Sequence, residues 1–142
     1  MPGVEVRVRG GAKLMAELGV FGRQLPRVVK QAAKEAATPV ARQTKAVVPF
    51  GPAKGGHVRS SIRVATSRRG VAIRSGGNRF RYYPWLEFGG RVGRRKSVHR
   101  ERIRAGRYLY PSLVANRAGI ERTMNRLIVR AALGSGLNAR RR

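Results

Sequence analysis

The sequence predicts an α+β fold, with a small antiparallel sheet, a long kinked N-terminal helix and a C-terminal helix. Two hydrophobic periods lead to this prediction. Apolar and polar residues alternate in short segments near positions 4–8 and 62–73, which is typical of half-buried strands. Apolar residues recur every three or four positions in two longer segments, which is typical of amphipathic helices. A chain of 142 residues has the size of one domain.

The first elements follow from these periods. Alternating valines at 4, 6 and 8 predict a strand that ends at the glycine pair 10–11. A short helix and a break near Gly22 come next. A longer helix is predicted from about Leu25 to Val47, and Pro39 should kink it because proline removes a backbone donor and crowds the preceding turn.

The later elements are a hairpin and a second long helix. The hairpin pairs Ile62 and Val64 with Val71 and Ile73 across the turn 68–70. The helix starts near Pro111, which suits a first helical turn, and Gly134 suits its end. Its apolar side is formed by Leu113, Ile120, Met124, Leu127, Ile128 and Ala131, and its basic stripe by Arg122, Arg126 and Arg130. We expect one domain over residues 1–134, with an extended basic loop at 90–107, followed by a basic tail at 135–142.

The charge balance restricts the partners. The chain has 32 basic and 6 acidic residues, so its formal net charge is +26. Such a protein repels itself and associates with polyanions, whether nucleic acid, an acidic protein surface or an anionic membrane. No apolar run approaches the roughly 18 residues that span a bilayer, so a membrane-spanning role is not expected. The absence of cysteine excludes disulfides and thiolate metal sites.

An enzyme is not expected. The two histidines, His57 and His99, lie in separate polar loops, and neither cysteine nor aspartate is present to complete a metal site. The glutamates show no spacing typical of an acid/base pair, and the Gly51–Gly56 loop lacks the phosphate-loop ending. We predict no catalytic residue, no cofactor and no metal.

Five of the aromatic residues fall within nine positions, from Phe80 to Phe88. Leu86 and Pro84 lie among them, which favours packing in the core or an interface over stacking on bases. Glu87 lies in the same window, and in so basic a chain its simplest expected partner is an arginine.

The seventeen residues from Arg91 to Arg107 are strongly basic and have few apolar side chains, so we expect a loop that does not fold on itself. It is either a solvated segment or a contact with DNA or an acidic protein. The candidate contact residues are Arg91, Arg94, Arg95, Lys96, Arg100, Arg102, Arg104 and Arg107. We expect the loop to be mobile in the free subunit and ordered against its partner.

Three motifs occur in a characteristic order. They are Val58-Arg59-Ser60-Ser61-Ile62 at a strand start, Tyr82-Tyr83-Pro84-Trp85-Leu86-Glu87-Phe88-Gly89, and Tyr108-Leu109-Tyr110-Pro111-Ser112-Leu113 at a helix start. With the long first helix, this order resembles the tailed-bacteriophage neck and tail-completion family, which includes proteins like the lambda minor tail protein Z. The resemblance covers roughly residues 10 to 133. The candidate core or interface anchors are Tyr83, Trp85, Glu87, Phe88, Tyr108, Leu109 and Pro111.

The resemblance implies a structural protein without a catalytic site. Such proteins are ring-forming subunits, often six-fold, at the junction of capsid and tail. It therefore implies a homo-oligomer, neighbouring neck and tail proteins as partners, possible non-specific contact with genomic DNA, and a place in the virion after synthesis in the bacterial cytoplasm. The alternative is a basic nucleic-acid-binding protein of ribosomal or nucleoid type, which the charge and size fit equally well.

Overall fold

The computed structural model describes residues 3–7, 25–50 and 57–134, and these form the expected α+β fold. The strands are β1 (Gly3–Arg7), β2 (Arg63–Ser67), β3 (Gly70–Gly76), β4 (Gly90–Val92) and β5 (Val98–Arg100). The helices are α1 (Leu25–Val47), α2 (Tyr83–Phe88) and α3 (Leu109–Gly134). The predicted short helix before Gly22 and the basic tail at 135–142 lie outside the described residues.

Within the described part of the chain, three antiparallel strands form the main sheet in the order β1-β3-β2. The predicted hairpin is confirmed: Val64 pairs with Ile73 and Ser67 with Gly70. Strand β1 pairs with the other edge of β3, where Val4 lies opposite Ser75. Because β3 is central, it has three successive buried residues, from Val71 to Ile73.

A buried serine links the first motif to the sheet. The turn Val58–Ser61 precedes β2, and the Ser61 hydroxyl donates to the Val58 carbonyl at 2.6 Å. The same hydroxyl accepts a hydrogen bond from the Gly76 N–H at 2.8 Å, at the end of β3. The motif thus fixes the start of one strand against the end of the next.

Helix α1 has the predicted bounds and packs on both the sheet and α3. Its buried stripe consists largely of small residues: Val29, Ala32, Ala33, Ala36, Ala37, Val40, Ala41 and Thr44. Small side chains let neighbouring backbones approach closely. Pro39 lies inside the helix on its exposed side, and the kink there stays a prediction.

Helix α3 is only partly covered. Its predicted apolar side chains are half-buried, whereas Leu109 at its start is fully buried. Two valines on the helix are exposed, Val114 by 73% and Val129 by 56%. The arginine stripe at 122, 126 and 130 faces solvent. The helix therefore completes the core at its first turn and leaves apolar surface along its length.

Two local structures differ from the sequence prediction. The aromatic window contains a six-residue helix, α2, that no periodicity indicated. The segment 90–107 was predicted as a loop that does not fold on itself, and this is wrong: β4 and β5 form an antiparallel ladder within it. Val92 opposite Val98, with Gly93 beginning the turn between them, supplies the local pairing.

Candidate functional site

The candidate site begins at helix α2, which the chain enters through a proline. Pro84 lies in the first turn, where its missing N–H costs no helical hydrogen bond. Tyr83, Leu86 and Glu87 are buried by the helix. Gly89 ends it with φ 81°, and its N–H donates to the Trp85 carbonyl at 2.8 Å.

The carboxylate of Glu87 caps the start of helix α3. Its Oε1 accepts hydrogen bonds from the backbone N–H groups of Tyr108 at 3.2 Å, Leu109 at 3.1 Å and Tyr110 at 3.3 Å. Its Oε2 accepts a further contact from the Leu109 N–H at 3.1 Å. The first N–H groups of a helix have no partner within the helix and carry its positive dipole end, so a carboxylate satisfies both needs.

This arrangement corrects the expected pairing of Glu87 with an arginine. The side chain has no exposed surface, and the hydrogen bonds that it accepts from described residues come from backbone N–H groups and a phenol. The phenol is that of Tyr83, which donates to Oε2 at 3.2 Å. Burial, and then the charge of Glu87, raise the pKa of Tyr83 well above its ordinary value. The phenol therefore stays protonated and keeps donating.

Gly106 makes room for the capped carboxylate. Its φ is 73°, and a Cβ at this position would overlap Glu87 Oε1. Sequence reasoning missed this glycine, although its place just before the predicted helix start was a usable signal.

The basic segment, here called the basic hairpin (residues 90–104), is joined to α2 by backbone contacts. The Ile103 N–H donates to the Phe88 carbonyl at 2.8 Å, and the Trp85 indole N–H donates to the Gly90 carbonyl at 3.0 Å. A Cβ on Gly89 would overlap the carbonyl of Glu101. The root of the hairpin is therefore fixed to the core helix on both strands.

Arg100 and Arg107 are tied to this root. The Arg100 guanidinium lies 5.6 Å from the Trp85 ring centroid and 5.7 Å from that of Tyr108, and it donates to the Tyr108 hydroxyl at 2.7 Å. Arg107 donates through Nη2 to the Glu101 carbonyl. Its Nη1 is buried without a hydrogen-bond partner among the described residues.

The other six candidate contact residues are exposed. They are Arg91, Arg94, Arg95, Lys96, Arg102 and Arg104. The sequence prediction grouped all eight basic residues together, whereas the structure separates these six from the two at the root. Residues that pair across the ladder lie on the same face, and successive pairs alternate between the two faces. Arg91 and His99 therefore share one face, and Gly90 and Arg100 share the other.

The hairpin turn has an uncommon backbone. Gly93 has φ 87°, and two residues with side chains, Arg95 at 59° and Lys96 at 55°, are also left-handed. Each left-handed residue of this kind costs about 1 kcal/mol or more.

The predicted anchors differ in their burial. Tyr83, Glu87 and Leu109 are fully buried. Trp85, Phe88 and Tyr108 are partly buried and pack against the core. Phe88 also lies 5.6 Å from Tyr110, centroid to centroid. Pro111 is exposed, so its place is at the helix start and not in the core.

Neither histidine lies in a metal cluster within the described ranges. His57 packs edge-on against Phe50 at 5.2 Å, and His99 lies on the exposed ladder. The described part of the chain contains no group of three or more potential metal ligands. None of its helices is long and apolar enough to cross a membrane.

Comparison with known proteins identifies the family. The family model described as "Bacteriophage HK97-gp10, putative tail-component" matches residues 12–89, which are 78 of the 142 residues. No curated protein and no solved structure matches the chain. The match includes α1, the main hairpin and α2 up to Gly89, and it ends where the basic hairpin begins. The chain belongs to this HK97-gp10-like family of bacteriophage tail components, which implies a place in the virion beside other phage structural proteins.

Proposed function

We propose that this protein is a non-catalytic ring subunit at the phage head–tail junction, where it completes or terminates the tail and joins it to the DNA-filled capsid. The family supports a structural role in the tail. The basic hairpin is the observation that carries the finer proposal. It holds six exposed cations on a fixed root, and the junction is the part of the virion where a tail protein meets packaged DNA.

A ring also accounts for the unequal covering of helix α3. One side of the helix packs on α1, while Val114 and Val129 are exposed together with half-buried neighbours. Head-to-tail contacts around a ring bury a different patch on each side of a subunit, so each copy needs such surface. We propose six copies, with neck and tail proteins above and below.

Like charge opposes this assembly. At +26 per copy, adjacent subunits repel each other unless counterions or a polyanion reduce the field. We therefore expect the isolated protein to be monomeric at low salt. Higher salt, which shortens the Debye length, should favour the ring.

Native mass spectrometry between low and moderate volatile-salt concentrations tests this proposal. The expected result is a shift from monomer to a closed oligomer of six. The test variants are Val114→Glu and Val129→Glu, which place a carboxylate on the uncovered side of α3 and should weaken the ring. The control variant is Glu121→Gln, which changes charge on the same helix without adding an acid. Imaging of complete virions supplies the second arm, because a monomer at the mature junction would contradict the proposal.

A further inference from the structure

We propose that the exposed side of the basic hairpin binds the phosphate backbone of duplex DNA without reading its sequence. This deepens the proposed function and rests on it for the presence of DNA. Of the six exposed cations, one lies in β4, three lie in the turn and two follow β5, and Glu101 is the one acidic residue in the hairpin. Arg100 and Arg107, the remaining two candidate contact residues, are tied to the root and are not part of the proposed surface.

A second copy of the chain is a poor partner for these cations. The chain has six glutamates and no aspartate. Among those with described side chains, Glu87 is buried, Glu35 accepts from Gln31 at 3.0 Å, Glu121 pairs with Arg117 at 3.5 Å, and Glu101 is a single exposed carboxylate within the hairpin itself. Scattered single carboxylates do not match six neighbouring cations, so the anion comes from a different molecule.

An acidic protein surface fits less well than a polyanion. Stable protein interfaces centre on buried aromatic and apolar anchors with a polar rim. On the hairpin the large exposed apolar residue is Val98, at 47%. The aromatic residues Trp85 and Tyr108 pack against the core and Arg100 instead. The hairpin thus has the charged residues of an interface rim but no large apolar anchor at its centre, and such a surface suits a regular array of phosphates.

Duplex DNA fits better than a single strand. Single-strand binders stack bases on exposed aromatic rings, and residues 90–104 contain no Phe, Tyr or Trp. They also lack Asn and Gln, the amides that read adenine. No contact within the described residues holds the six cations in a fixed orientation, as guanine readout by arginine requires. Contact with the phosphate backbone of the duplex is therefore the mode of binding that these residues fit.

The turn supports a binding role. Arg95 and Lys96 occupy left-handed backbone positions that glycine or asparagine would fill at lower cost. Strained residues of this kind cluster at functional sites. The turn thus carries cations where stability alone would favour other residues.

Fluorescence anisotropy of a labelled random-sequence duplex, titrated with the full chain at several salt concentrations, tests the proposal. The test variant replaces Arg94, Arg95 and Lys96 with Ser. A second variant replaces Arg91, Arg102 and Arg104, which lie outside the strained turn, with Ser. The control variant replaces Arg122, Arg126 and Arg130 on helix α3 with Ser, so it removes the same charge. Thermal melting checks the fold of all three.

The slope of log K against log salt decides the outcome. Each hairpin triple should flatten it by up to about 2.7, from three phosphates at about 0.9 each, and the α3 control by less than about 1. Equal flattening by all three triples would show a general charge effect and overturn the proposal. Equal or tighter binding of a thymidine single strand of the same length would overturn the duplex assignment. The assay uses the isolated subunit, so failure of ring formation leaves its result intact.

Discussion

Removal of the Glu87 carboxylate tests whether the cap joins helix α3 to the rest of the fold. Two substitutions differ in what they leave. Glu87→Gln keeps an amide oxygen that can occupy the Oε1 position and accept from the N–H groups of residues 108–110. Glu87→Leu has a similar volume and accepts nothing.

The expected costs follow from these contacts. Glutamine loses the charge that faces the helix dipole, worth up to about 2 kcal/mol in a buried setting, so we expect a loss of about 2 kcal/mol. Leucine leaves four donors without this acceptor, the three N–H groups and the Tyr83 hydroxyl, each worth about 1 to 3 kcal/mol if it stays dry. Residues 108 and 110 are half-exposed, so water can reach part of this turn. We therefore expect about 4 kcal/mol for leucine.

Urea unfolding measures both costs, and the chain supplies its own probe. Trp85 is the only tryptophan and lies two residues before Glu87 in α2, so its fluorescence reports this site. The control is Glu121→Gln, which removes an exposed ion pair and should cost less than about 0.5 kcal/mol. Equal losses for glutamine and leucine would show that volume matters and not the acceptor. A loss below about 1 kcal/mol for leucine would refute the cap as a stabilising contact.

Three further outcomes are expected. Trp85→Ala should lower the free energy of unfolding by about 3 kcal/mol, the lower end for a large aromatic, because the ring is only partly buried. The folded fraction should still bind duplex DNA. Loss of binding at unchanged stability would instead make Trp85 a base-stacking residue. Gly89→Ala should lower the melting temperature sharply, since φ is 81° and a Cβ would overlap the Glu101 carbonyl, and wild-type melting would contradict the close approach at the hairpin root. Stability should fall above about pH 10 because the unfolded state releases the Tyr83 proton while the native state keeps it. Tyr83→Phe should reduce that fall, which urea titrations at a series of pH values measure. An unchanged pH dependence would count against the raised pKa of Tyr83.

The long helices could be predicted from the sequence because their hydrophobic pattern repeats over many residues. The stripe from Leu25 to Val47 gave α1 its bounds, and Pro111 and Gly134 placed α3 to within two residues. Helix α2 was not predictable in the same way, because six residues span fewer than two turns. The ladder β4–β5 rests on one valine pair, which is too little alternation to detect.

The candidate site was less predictable, because its contacts join distant positions. Glu87 meets N–H groups 21 to 23 residues away, and no local pattern specifies that distance. Charge suggested an arginine partner because arginines are numerous, whereas the helix start offered several donors at once. The eight basic residues looked equivalent in the sequence, and only the packing of Arg100 against Trp85 and Tyr108 separates it from the exposed six.

A cryo-electron microscopy reconstruction of the complete virion at the head–tail junction tests the central claim most directly. We expect six copies in a closed ring, with α3 between neighbouring subunits. The hairpin turn at residues 93–97 should lie within side-chain reach of the DNA density. A monomeric subunit at the junction, or a ring whose hairpin turns point away from the DNA, would contradict this account.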